Sequence, residues 1–140
     1  MDLEKQFYAQ VLPNSTIKKL TTKDFSNCGD TILKENCVIF FYAFACRGCK
    51  DFAYEYSKFA NYANKYNITP IACNVSENRD LVKMSNNFPY NLSAFPLVVI
   101  YNKGSPCTVY SGERTANSLS RTVAASLGLS SYCSINSRGC

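Results

Sequence analysis

The sequence contains no histidine and no tryptophan. Without an imidazole, the chain lacks the base of a Ser-His-Asp or Cys-His catalytic pair, and it lacks the histidine ligands of a mixed zinc site. Any chemistry must therefore use thiols, carboxylates, amines or phenols. The presence of 8 cysteines among 140 residues makes thiols the first candidate.

Long apolar segments are also missing. No run approaches the roughly 20 residues that a membrane-spanning helix needs, so we expect no membrane association. The segment Met1 to Gln6 lacks the basic and then apolar pattern of a secretory signal. We therefore expect a reducing compartment and a cytoplasmic location. The richness in Asn, Tyr and Phe suits an AT-rich genome, and an origin in a large DNA virus would add the virion as a location.

The charge is mildly basic. The 15 lysines and arginines against 10 acidic residues give a net charge of +5, and the cations are scattered singly apart from Lys18 and Lys19. Nucleic-acid binders more often carry a basic stripe or arm. We therefore expect a solvated basic surface and no nucleic-acid partner.

Hydrophobic periodicity predicts one domain at 16–128, between an N-terminal leader at 1–15 and a cysteine-containing tail at 129–140. Strands alternate with helices and end in a hairpin and a helix, which is typical of an α/β fold with helices on both faces of a mixed sheet. The predicted strands are 17–20, 37–43, 68–75, 97–101 and 107–110. The predicted helices are 23–35, 46–66, one that begins at Ser76, and 115–127.

Cys46 and Cys49 lie where an apolar strand ends and a long amphipathic helix begins. Two cysteines three residues apart on a first helical turn have Cβ atoms about 5 to 6 Å apart, which a reversible disulfide can join. The helix N-terminus, Arg47 and Lys50 favour a thiolate at Cys46. We therefore predict Cys46 as the attacking thiolate and Cys49, one turn deeper, as the resolving thiol. Half of a zinc site and an inert pair are the alternatives, and zinc would need two further ligands.

The segment 41–50, which reads FYAFACRGCK, resembles the active-site segment of the thioredoxin family. The Ala-Phe-Pro at 94–96 before an apolar strand resembles the cis-proline hallmark of that family, and the segments 102–104 and 110–112 match its two glycine turns. The resemblance covers nearly the whole chain. It implies an α/β thioredoxin fold, with a central mixed sheet of about five strands flanked by about four helices.

The resemblance also implies a function. A thioredoxin-like protein exchanges protein disulfides through a couple such as Cys46 and Cys49, needs no metal or other cofactor, and works with a redox partner protein. It implies that Pro96 packs against the cysteine pair, that the backbone of Phe95 pairs with an extended substrate, and that the protein is a monomer or weak dimer. The direction of electron flow stays open. The alternative is a non-enzymatic thioredoxin-like binding or structural module with a vestigial or conformational pair.

The chain departs from the usual thioredoxin pattern in the motif and beneath it. Phe40 stands where the family usually has a buried Asp, so no carboxylate there accepts the proton of the resolving thiol. The residue before Cys46 is Ala45 in place of Trp, the pair encloses Arg47 and Gly48 in place of Gly-Pro, and the helix lacks its usual proline. These departures favour a specialised partner or a more oxidising couple.

The other six cysteines fall into two groups. Cys37 and Cys73 lie in predicted buried strands and are interpreted as small core residues, and the same interpretation is given to Cys28 and Cys107. Cys133 and Cys140 lie in the polar tail beyond the last helix. As an accessory redox site, these two thiols could bridge to each other, relay electrons to the active pair, or crosslink to another chain.

Overall fold

The computed structural model of the protein describes residues 2–12, 16–128 and 133–135. Five strands form one sheet in the order β1-β3-β2-β4-β5. They are β1 Lys18–Lys19, β2 Cys37–Tyr42, β3 Thr69–Asn74, β4 Leu97–Asn102 and β5 Ser105–Val109. The first three run parallel, while β4 is antiparallel to β2 and β5 is antiparallel to β4. The predicted mixed α/β sheet is confirmed.

Among the described residues, four α-helices surround the sheet. They are α1 Asp2–Val11, α2 Arg47–Lys65, α3 Asp80–Met84 and α4 Ala116–Gly128. The core residues of α1, α2 and α4 pack on one face of the sheet, and those of α3 pack on the other. None of the described helices is long and apolar enough to cross a bilayer.

β2 is the central strand because both of its faces are apolar. All six of its residues are buried. Alternate side chains enter opposite cores: Phe40 packs under α2, whereas Phe41 packs on the face of α3. This continuous apolar run is the signal that predicted the strand, and its carboxyl end delivers the chain to Cys46.

The prediction of a helix at 23–35 is wrong. A single 3-10 turn covers Thr22–Asp24, and the chain then folds back so that Phe25 pairs with Thr31. Gly29 sits in this reversal with φ +94°, a left-handed conformation that glycine adopts easily and a helix does not contain. The buried Phe25 ring, rather than an amphipathic helix face, fixes this segment to the core.

The helix α1 lies in the predicted leader. Tyr8 is 3% exposed, and its ring centroid is 4.2 Å from that of Tyr42 in β2. Tyr8 and Leu12 thereby join the core beneath α2. The boundary at residue 16 stays a prediction, but the described leader residues pack on the same sheet as the domain.

The hydroxyl group of Tyr56 joins α2 to two strands. It lies 2.9 Å from the carbonyl oxygen of Val38 and 2.7 Å from that of Ile71, and it accepts a hydrogen bond from the Ile71 N–H at 3.0 Å. Tyr56 is fully buried. One side chain therefore satisfies backbone groups of both β2 and β3.

We expect Tyr56→Phe to lower the free energy of unfolding by about 1 to 3 kcal/mol, because it leaves buried backbone groups without a partner. Urea denaturation monitored by circular dichroism measures the change. Tyr66→Phe is the matched control, because Tyr66 is 60% exposed. Equal stability of the two variants would contradict this role of the hydroxyl.

Candidate active site

Cys46 and Cys49 form a disulfide at the start of α2, with their Cα atoms 5.2 Å apart. Cys46 is the N-cap residue of the helix, and its Sγ accepts a hydrogen bond from the Cys49 N–H at 3.2 Å. Ala45, which turns the chain from β2 into α2, has φ +61°. The predicted position of the pair, at a strand-to-helix junction, is confirmed.

The two cysteines differ in access. Cys46 is half-buried, whereas Cys49 has no exposed surface and belongs to the core beneath α2. An incoming sulfur from another molecule therefore meets Cys46 first. This difference agrees with the roles assigned from the sequence, in which Cys46 attacks and Cys49 resolves.

The Cys46 sulfur lies at the positive end of a helix dipole. Cys46 is the N-cap residue of the 19-residue helix α2, and no acidic residue lies in the first turn. Arg47 is exposed and Lys50 is half-buried beside the pair. Stabilisation of the Cys46 thiolate by Arg47 and Lys50 stays a prediction.

The Phe95–Pro96 peptide bond is cis, as predicted. Leu97 pairs with Phe41 in the antiparallel register, so Pro96 lies at the carboxyl end of β2, close to the cysteine pair. A Cβ atom placed on Gly48 would be 3.2 Å from Pro96 Cδ. The proline therefore packs against the residue between the two cysteines. Substrate binding by Phe95 and Pro96 stays a prediction.

The sequence reasoning missed Arg114. A Cβ atom on Gly48 would lie only 2.9 Å from Arg114 Nη1, so the guanidinium group packs across the middle of the cysteine motif. Arg114 and Pro96 also line a small cavity of about 120 Å³ beside Phe52. Only the position of Arg114, just after the predicted glycine turn at 110–112, hinted at this proximity.

The core beneath Cys49 is aromatic. Phe40 is fully buried, with its ring centroid 5.1 Å from those of both Phe52 and Tyr56. Cys49 belongs to the same core cluster. Phe40 therefore places a phenyl ring, which accepts no proton, in the core that contains the resolving thiol.

Cys37 and Cys73 are free thiols with no exposed surface, as predicted. Burial raises the pKa of each to about 12. Both thiols therefore stay protonated near neutral pH and are inert toward disulfides.

We expect iodoacetamide at pH 8 to alkylate Cys46 in the reduced, folded protein and to leave Cys37 and Cys73 unmodified. The thiolate is the reacting form, and these two thiols have raised pKa values and no exposed surface. Peptide mapping by mass spectrometry measures the labelling, with urea-unfolded protein as the control in which all three react. Labelling of Cys37 in the folded protein as fast as that of Cys46 would contradict the prediction.

Two of the cysteines interpreted as core residues are instead disulfide-bonded. Cys107 is buried in β5 and is joined to Cys133 of the tail, with Cα atoms 4.6 Å apart, and Cys28 is also in a disulfide. The Ile135 N–H donates to the Cys107 carbonyl oxygen at 2.9 Å. The tail at 133–135 is thus fixed to β5. A bond to Cys107 was not among the roles predicted for Cys133 from the sequence. Cys140 lies outside the described residues.

A metal centre finds no support in the part of the chain that the structure describes. No group of three or more Cys, His, Asp or Glu residues is arranged there to hold an ion. The zinc alternative for the Cys46 motif therefore lacks its further ligands among these residues.

Comparison with known proteins agrees with this geometry. A family model described as Thioredoxin matches residues 16–125. A search of curated protein sequences gives no significant match.

Several solved structures resemble the fold. The J-Trx1 fragment of ERdj5 is 23% identical with a TM-score of 0.65, over 81% of this chain and 50% of that chain. The first two thioredoxin domains of Eps1p from Naumovozyma dairenensis are 21% identical with a TM-score of 0.65, over 86% and 46%. Mitochondrial thioredoxin 3 from Saccharomyces cerevisiae, in its oxidized form, is 23% identical with a TM-score of 0.61, over 85% and 98%. The chain thus spans about half of the first two structures, and these likenesses show the fold.

Proposed function

The chain belongs to the thioredoxin family, and from that premise we propose that it is a thiol–disulfide oxidoreductase acting on disulfides of other proteins. The observation that carries the proposal is the Cys46–Cys49 disulfide at the N-terminus of α2, with an accessible Cys46 and a buried Cys49. The cis-proline at position 96 packs beside the pair. Together these supply an attacking sulfur, a resolving sulfur and a surface on which a substrate can lie.

The proposed reaction transfers two electrons through one mixed disulfide. In the direction of reduction, the Cys46 thiolate attacks a substrate disulfide and releases one substrate thiolate. The Cys49 thiol then attacks the Cys46 sulfur, and its proton passes to the substrate thiolate that this attack displaces. The second substrate thiolate leaves, and the Cys46–Cys49 disulfide closes. A redox partner protein must then return two electrons to the pair, and oxidation of a substrate is the same path reversed.

The environment of Cys46 favours an oxidising couple. The helix N-terminus and Arg47 stabilise the thiolate, and a stabilised thiolate stabilises the reduced form of the protein. Phe40 supplies no carboxylate to take the proton of Cys49 and so speed the release of a reduced substrate. We therefore propose that the chain donates its disulfide to substrates more readily than it reduces theirs.

Disulfide exchange with insulin in the presence of dithiothreitol tests the function. We expect the wild type to turn over insulin. Cys73→Ala should retain this activity, because Cys73 is a buried thiol outside the motif. The absence of turnover in wild type, with partner binding unaffected by Cys46→Ser, would favour the non-enzymatic module instead.

The compartment of the protein is a separate proposal. The cytoplasmic location expected from the sequence stays a prediction. The Cys107–Cys133 disulfide, which lies outside the active pair, favours a compartment in which structural disulfides persist, because cytosolic thiols are kept reduced. Non-reducing peptide mapping of the protein from its native source decides between the reducing and the oxidising compartment. A linked peptide that contains Cys107 and Cys133 supports the oxidising compartment. Free thiols at both positions contradict it.

A further inference from the structure

Arg114 lies over Gly48, between the two cysteines of the motif. A Cβ atom on Gly48 would lie 2.9 Å from Arg114 Nη1 and 3.9 Å from its Cζ, so the guanidinium group stands directly over the motif. Pro96 Cδ lies 3.2 Å from the same point. The guanidinium group therefore lies beside the surface formed by Gly48 and the cis-proline, next to Cys46.

The loop that carries Arg114 is held by contacts to α2 and α4. The Ala116 N–H, at the start of α4, donates to Glu55 Oε1 at 2.8 Å. This hydrogen bond is the main reason that the pKa of the Glu55 carboxyl group lies below its usual value. The Tyr110 hydroxyl group donates to the Glu113 carbonyl oxygen. These contacts fix both ends of a short loop, which keeps Arg114 over the motif.

Within the described residues, the Arg114 guanidinium group has no ion pair or hydrogen bond, and neither has that of Arg47. Both residues are exposed. The nearest acidic residues along the chain, Asp51 and Glu113, form no ion pair with either arginine. The segment 93–96 carries no charged residue. Two exposed guanidinium groups without a protein partner among the described residues therefore lie next to the reacting pair.

We propose that Arg114, with Arg47, selects substrates that carry an acidic side chain next to the disulfide, a specificity that rests on the proposed function. Guanidinium groups bind carboxylates through two parallel hydrogen bonds, and their planar shape makes the contact directional. A glutamate or aspartate beside the substrate cysteine satisfies these donors while its sulfur lies at Cys46. A lysine at the same position meets two like charges.

Two disulfide-bridged reporter peptides that differ only in the residues flanking one cysteine test the selectivity. One carries Glu at these positions and the other carries Lys. At low ionic strength we expect kcat/KM of the wild type to be about tenfold higher for the Glu peptide, and the ratio to fall toward one in about 0.5 M salt because exposed charges are screened.

Variants of the arginines separate substrate selection from a general effect on the thiols. In Arg114→Gln the ratio of the two kcat/KM values falls toward one, because kcat/KM for the Glu peptide decreases more than kcat/KM for the Lys peptide. Arg121→Gln, which removes an exposed arginine of α4 that does not line the cavity beside Pro96, keeps the tenfold ratio. An equal loss for both peptides in Arg114→Gln would show that the residue acts on the cysteines, and it would overturn the proposal.

The same assay distinguishes the acidic preference from the oxidoreductase function on which it rests. Equal wild-type rates with both peptides would overturn the acidic preference and leave the oxidoreductase function intact. Failure to exchange either peptide, with the folded state verified by circular dichroism, would overturn both.

Discussion

Cys46→Ser lowers disulfide exchange by about a thousandfold or more, since a serine hydroxyl does not attack a disulfide and the remaining Cys49 is buried. The expected loss is in kcat/KM, because the variant cannot form the first mixed disulfide. Turnover of an insulin or peptide disulfide under single-turnover and steady-state conditions measures it. This is the largest effect expected of any single substitution.

Cys49→Ser is the informative counterpart. This variant keeps the attacking sulfur, so it forms the mixed disulfide in a single turnover but does not release it. Activity is therefore lost in the steady state and retained in the first step. Full steady-state activity of Cys46→Ser, or equal first-step rates in both variants, would contradict the assignment of roles.

Cys133→Ser is expected to have the second-largest effect, and it acts on stability. The Cys107–Cys133 disulfide closes a loop with a sequence separation of 26 residues. Opening it restores chain entropy to the unfolded state and, by the chain-entropy relation for a loop of this length, lowers the free energy of unfolding by about 3.5 kcal/mol. It also frees the tail at 133–135 from β5, to which the Ile135 N–H is bonded. Urea denaturation of the purified variant gives the value.

The double variant Cys46→Ser/Cys49→Ser is the matched control for this crosslink. Its loop has a sequence separation of 3, for which the same chain-entropy relation gives about 1.6 kcal/mol. A larger loss in this double variant than in Cys133→Ser, or a loss below about 1 kcal/mol in Cys133→Ser, would contradict a structural role for the tail disulfide.

The central elements of the fold are predictable because their signals are local. β2 is a continuous apolar run, α2 repeats its aromatic residues at helical spacing, and the cysteine motif lies at their junction. The cis bond before Pro96 follows from the resemblance to the family together with the rarity of cis bonds elsewhere. Each of these needs only a few consecutive residues to be recognised.

The missed features depend on distant residues that the fold brings together. Cys107 is paired with a cysteine 26 positions later, and nothing in the local sequence of β5 indicates a partner at that distance, whereas Cys37 in β2 is a free thiol. Arg114 lies against Gly48, 66 positions earlier in the chain, and the loop that carries it is bonded to Glu55 of α2 through the Ala116 N–H. The helix expected at 23–35 fails because Phe25 and Thr31 pair across a turn at Gly29. Such tertiary contacts override the local pattern.

The most direct test of the Cys46–Cys49 couple is to identify which sulfur holds a trapped substrate. Cys49→Ser is incubated with a protein disulfide substrate, quenched in acid, and digested without reduction for mass spectrometry. The Cys46–Cys49 couple predicts one mixed disulfide, joining the substrate to the peptide that contains Cys46. No adduct, or an adduct on Cys107 or Cys133, would contradict an active site at the N-terminus of α2.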